Sequence, residues 1–119
     1  MASKRPKPVL KLKAQVMLGE EIAIGPGKAE LLEAIADTGS ISASAKRLGM
    51  SYRRAWLLVD TMNRCFREPV VASATGGTGG GGAHLTEFGR RVLARFASMK
   101  ARVDRALGPE LERFSELLR

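Results

Sequence analysis

The sequence is poor in the residues that catalysis and metal binding draw on. Its 119 residues include one cysteine, Cys65, and one histidine, His84. A single thiol cannot close an internal disulfide, which fits a reducing compartment. His84 has no second histidine to share a metal with and no triad partners at recognisable spacing. No catalytic residue, no metal and no cofactor is therefore expected, and the chain does not read as an enzyme. Aromatic residues make up only 5%, and no run approaches the roughly 18 apolar residues a membrane-spanning helix needs. The basic opening "MASKRPKPVL" lacks the apolar stretch that follows in a secretory signal. A cytoplasmic protein without a membrane partner is expected. Acidic residues are scarce too: 12 against 20 Lys and Arg, for a net charge of +8. That imbalance favours polyanions as partners, nucleic acid ahead of an anionic membrane.

What the chain does contain is sufficient for one folded unit, since 45% of it is apolar. Its charge is segregated. Lys4, Arg5, Lys7, Lys11 and Lys13 precede the first acid. Glu20, Glu21, Glu30, Glu33 and Asp37 then face only Lys28, and Lys46, Arg47, Arg53, Arg54, Arg64 and Arg67 face only Asp60. A basic block in mid-chain fits a folded binding surface; an ordinary solvated helix face would look similar by charge alone.

The pattern predicts mainly α structure with a small β wing. "VLKLKAQVMLGEEIAIG" alternates through Leu10, Leu12, Ala14, Val16 and Leu18, which predicts two short strands around the "GEE" turn. Pro26 opens a first helix, over roughly Lys28 to Thr38, and Gly39 ends it. "SISASAKRLGMSYRRAWLLVDTMNRCF" predicts two more: a short one capped by Ser42 and ending at Gly49, then one from Tyr52 to about Phe66 capped by Ser51. Small Ala45 and the sharp turn at Gly49 make this pair a helix-turn-helix. "PVVASA" and "AHL" predict two strands joined by the glycines. From Thr86, apolar residues at Phe88, Val92, Phe96, Met99, Val103 and Leu107 predict a long amphipathic helix, broken at Gly108 and Pro109 before a short terminal one.

The joining segment has six glycines between Thr75 and Gly82. It contains GxGxxG, but any run this rich would, and neither the βαβ unit of a dinucleotide fold nor the lysine of a P-loop follows. At the tip of a wing, glycines allow the backbone to approach a sugar-phosphate chain, with the Thr75 and Thr78 hydroxyls as donors. In the helix from Tyr52, about 100° per residue places Ala55, Leu58, Val59, Met62, Cys65 and Phe66 on a core face. Arg53, Trp56, Leu57, Asp60 and Arg64 lie opposite, with Tyr52 and Arg54 on the flanks. Arginines there can pair with guanine in a major groove or contact phosphate only. Trp56 can join them or pack on a neighbouring element. Lys46 and Arg47 fit phosphate contacts or complement their own helix dipole. The tail "KRPK" fits a solubilising end or a groove-reaching arm.

Taken together, "GSIS" at Gly39 to Ser42, "SYRRAW" at Ser51 to Trp56, "MN" at Met62 and Asn63, and the glycine-rich wing from Thr75 to Thr86 resemble the DNA-binding domain of the ModE family of molybdate-responsive regulators. The resemblance runs from about Gly25 to Phe96 and less specifically to about Leu107. It implies a winged helix-turn-helix of the LysR type, dimerising through the helix after the wing. The apolar stripe of that helix, too long for one small domain to cover, points the same way. Family members also carry β-barrel modules that bind molybdate; with the chain stopping at Arg119, those are expected to be absent. Sensing through a separate effector-binding protein remains compatible with this.

The expected organisation is a flexible basic arm (1–8), strands and winged helix-turn-helix (9–86), and a dimerisation helix with a short terminal helix (87–119). Expected function is that of a bacterial, homodimeric, sequence-specific transcriptional regulator of molybdenum-related genes; a chromosome-coating protein is the alternative. Tyr52, Arg53, Arg54 and Trp56 are assigned to bases. Ser42, Lys46, Ser51, Arg64, Thr75 and Thr78 are assigned to phosphates, with Gly76 and Gly77 in the wing, and Phe88, Val92, Phe96, Met99, Val103 and Leu107 to the dimer.

Overall fold

The computed structural model describes residues 6–74 and 82–119. A small hairpin, β1 (Val16–Leu18) and β2 (Glu21–Ile24), precedes three helices, α1 (Pro26–Thr38), α2 (Ile41–Leu48) and α3 (Tyr52–Cys65). Then follow β3 (Val71–Ala74), β4 (Gly82–Leu85) and the long α4 (Glu87–Ser115). Both strand pairs are antiparallel and separate. The architecture is mainly α with a small β wing, as the sequence pattern predicts.

The first hairpin is shorter than the alternation from Leu10 suggests. Leu18 pairs with Glu21 across Gly19, whose φ of 62° suits the first position of a two-residue loop. The register shifts between Val16 and Met17, and β2 offers no further partners, so residues 10–14 have no ladder to join. They run instead beside α4. An open groove of about 930 Å³ lies between Pro8–Val16 and the stretch from Phe96 to Leu111.

Pro26 starts α1, where its missing N–H costs nothing, and Gly39 closes it at φ 69°. The start of α2 differs from expectation. Ser40, not Ser42, is the cap: its hydroxyl accepts from the Ala43 amide at 3.0 Å, and Ser42 is an exposed residue of the first turn. Ser40 has the extended backbone a cap requires, at φ −154°. The neighbouring Ser44 is fully buried, and its hydroxyl is satisfied by the Ser40 carbonyl at 2.7 Å and the Thr38 hydroxyl at 2.9 Å. Gly49 ends α2 at φ 69°, with its amide and that of Met50 returning to Lys46 and Ala45 carbonyls, so the chain turns sharply into α3.

Leu31, Leu32 and Ile35 of α1, Ala45 of α2, Ala55, Val59 and Met62 of α3, and Val70, Val71, Ala83 and Leu85 at the wing base form one core. Helix α4 is a single helix through Gly108 and Pro109, not two. Proline there deprives the Arg105 carbonyl of its helical donor. Arg105 and Pro109 are both exposed, so water can serve that carbonyl, and Gly108 has nothing within 4 Å of a would-be Cβ.

Candidate nucleic-acid interface

Helix α3 divides cleanly between core and solvent. Ala55, Val59 and Met62 are buried and Leu58 and Phe66 partly so. Tyr52, Arg53, Arg54, Trp56 and Leu57 are all exposed at its N-terminal half. Trp56 is 48% exposed and is not part of the core. Ser51 caps the helix by accepting from the Arg54 amide at 3.1 Å, and its hydroxyl hydrogen is left to donate outward. Cys65 is half-buried.

The cations of the basic block are not equivalent. Arg47 pairs with Asp37 at 3.0 Å. Arg64 is held by Asp60 at 3.1 Å and Glu21 at 3.8 Å, and its hydrogen bond to Asp60 first, then Glu21, push its already high pKa up. Among the described residues, Lys46, Arg53 and Arg54 have no carboxylate within ion-pair distance. Their charge is uncommitted and lies on the exposed side of α2 and at the start of α3. Lys28, behind α3, is 9% exposed, and burial pushes its ammonium below the usual lysine value; Cys65 and Glu21 act against that, and Arg54 adds to it.

Asn63 has a role that the sequence left undefined. Its side-chain oxygen accepts from the Val70 amide at 2.8 Å and the Val71 amide at 3.3 Å, while its amide nitrogen donates to the Val71 carbonyl at 3.0 Å. One side chain thereby joins the far end of α3 to the first strand of the wing. From the other side, the Thr86 hydroxyl donates to the Pro69 carbonyl at 2.7 Å and accepts from the Gly89 amide at 2.8 Å, while the Thr86 amide reaches Val70. Gly89 packs so closely on the Val70 carbonyl that any Cβ would overlap it. The cue in the sequence was an amide side chain on an otherwise apolar side of α3, close to the chain's entry into β3.

The wing itself pairs Val71 with Leu85, Ala72 with His84, Ser73 with Ala83 and Ala74 with Gly82. Thr75, Gly76, Gly77 and Thr78 lie outside the described residues, as does the start of the basic arm. The stripe on α4 divides: Phe88 and Val92 pack against the protomer's own core and Phe96 is buried in it. Leu107 is half-buried beside the N-terminal segment, whereas Met99 and Val103 are 50% and 41% exposed. Phe88 meets Phe66 edge-on, ring centroids 6.3 Å apart, with the Arg67 and Arg91 guanidinium groups 5.6 and 5.7 Å from its ring.

Two helices crossing at a glycine turn, an exposed basic start to the second, and a hairpin tied to its end are matched by a family profile over residues 27–90, that of bacterial regulatory helix-turn-helix proteins of the LysR family. The chain belongs to that family. Within it, the chain is 40% identical over 95 residues to the molybdenum transport protein ModE of Azotobacter vinelandii, covering 80% of this chain and 35% of that one. It is 41% identical over 85 residues to the molybdenum-pterin-binding protein MopA of Rhodobacter capsulatus, covering 71% and 32%. With the DNA-binding transcriptional dual regulator ModE of Escherichia coli K12 it shares 43% identity over 76 residues, covering 64% and 29%. The chain thus spans about a third of the length of these relatives. The matched LysR-family residues run from the second residue of α1 through β4, the frame that positions the exposed start of α3. Among the described residues there is no cluster of His, Cys, Asp or Glu that would hold a metal, and no helix is long and apolar enough to cross a membrane.

Proposed function

We propose that this LysR-family chain binds double-stranded DNA as a transcriptional regulator of molybdenum-related genes, with no enzymatic step. The observation that carries the reading is the N-terminal half of α3, where Arg53 and Arg54 stand exposed beside Tyr52 and Trp56, with no carboxylate paired to them among the described residues. These four residues read bases in the major groove, arginine being suited to guanine O6 and N7. Ser42, Lys46 and Ser51 anchor phosphates around them, and Arg64 contributes more weakly because two carboxylates already hold it. Thr75, Gly76, Gly77 and Thr78 bring the wing to the flanking backbone. Met99 and Val103 join two copies, so the DNA site is a near palindrome read in the cytoplasm. The link to molybdenum rests on the names of the relatives.

Selection of genomic fragments by the purified protein at near-physiological salt, with and without molybdate, tests this reading. One enriched palindrome beside molybdenum-related genes is the expected result. Retention of DNA without a shared motif would instead make the protein a chromosome-coating one. On the enriched site, Arg53→Ala is expected to cost about 1–3 kcal/mol in binding while barely changing the affinity for random DNA. Equal losses on both would remove Arg53 from base reading.

A further inference from the structure

The outer face of α3 carries an apolar feature that charge pairing with DNA does not use. Tyr52, Trp56 and Leu57 are 55%, 48% and 45% exposed, and with Arg53 they line an open hollow of about 430 Å³. Leu57 lies one turn beyond Arg53, on the side of α3 opposite the buried Ala55, Val59 and Met62. Nothing in the protomer's core explains it. A single exposed leucine is ordinary, but here a leucine, a tryptophan and a tyrosine, all exposed, border one hollow.

We propose that Leu57 and Trp56 form a seat for the 5-methyl group of a thymine in the major groove, with Tyr52 and Arg53 as its rim; the proposal rests on the DNA-reading assignment of α3. Along the major-groove edges of the four base pairs, the thymine methyl is the apolar group, while the other positions present donors or acceptors. Leucine has no hydrogen bond to offer. Pressed against guanine N7 or cytosine N4 it would strip water from a polar atom and return nothing. Against a methyl it removes apolar surface from water on both sides. Asp60, the next outward residue along α3, would repel the phosphates of an approaching duplex, but Arg64 neutralises it at 3.1 Å. Asp60 therefore leaves no unpaired negative charge beside the hollow. Leu57 thus separates thymine from cytosine, a choice its arginine neighbour cannot make.

The test begins with selection from a random DNA pool. Failure to enrich any motif would end the base-reading assignment and this proposal with it. On the enriched site, each thymine is replaced in turn by uracil, which deletes the methyl and leaves every hydrogen-bonding atom. Wild-type protein is expected to lose about 3- to 5-fold in affinity at one thymine per half-site, the size of one buried methyl. Leu57→Ala should bind the thymine and uracil forms within about 2-fold of each other at that position, and Leu57→Met should restore the preference. Because Leu57 is exposed, both variants should melt with the wild type. A site on which no uracil is penalised, or on which Leu57→Ala keeps the full penalty, would overturn the assignment while leaving α3 a reader of DNA.

Discussion

Asn63 and Lys28 are two polar residues that the fold treats in opposite ways. Asn63 meets three backbone groups at the start of the wing, all on Val70 and Val71, which are nearly inaccessible. Asn63→Ala would leave those groups without partners, and urea unfolding should show a loss of about 1–3 kcal/mol. A loss near zero would mean that water replaces the side chain. Lys28 is buried at a cost. Its folded pKa lies below the ordinary 10.5, so between those two values the unfolded chain holds more protons and stability rises with pH. Below the folded value the penalty is present in full. The stability of Lys28→Met relative to wild type should therefore be greatest near neutrality and shrink as pH approaches 10.5; a constant gap would mean that the lysine is not penalised. The burial of Lys28 could not be read from the sequence, because a lysine at a helix start looks solvent-facing until the neighbouring elements are placed. For Asn63 the sequence offered only its place on an otherwise apolar side of α3, without the partner.

At the scale of elements, caps and breakers divide what was legible from what was not. Thr86 and Ser51 cap their helices as their positions suggest, because each stands alone before an apolar run. In "GSIS" two serines compete, and only backbone geometry selects Ser40. Ser40→Ala is expected to cost about 1 kcal/mol of stability in thermal or urea unfolding, and Ser42→Ala almost none. The reverse order would restore Ser42 as the cap. Pro109 failed as a predictor of a helix end for a different reason. A proline removes one donor and crowds one carbonyl, penalties that an exposed helix with regular turns on both sides can absorb, and no sequence pattern reports that exposure. The core face of α3 was legible in full, since periodicity is a property of the helix itself. The division of the α4 stripe was not, because it depends on where α1 and the wing base end.

As a whole molecule the chain is open. Its radius of gyration is 18.1 Å, against about 13.5 Å for a compact domain of this length. It exposes 8893 Å², where a globular protein of this mass would expose about 6300 Å². Helix α4 leaves the core after Phe96 with Met99 and Val103 half exposed. Sedimentation equilibrium is expected to find a dimer. Met99→Glu combined with Val103→Glu should yield a folded monomer that binds DNA more weakly, each half-site then being held separately. A wild-type monomer would refute the proposed role of those two residues.

The tie at Thr86 gives α4 a mechanical property. At 29 residues, the helix is about 43 Å long, and it is fastened at one end by a hydroxyl that also holds the strand entering the wing. The core holds the helix as far as Phe96, so the arm that stands clear runs from there to Ser115, about 28 Å. A tilt of about 5° at Phe96 displaces the far end by about 2.5 Å over that length. Run in reverse, a displacement near Ser115 reaches the wing base only through the packing of Phe96, Val92 and Phe88.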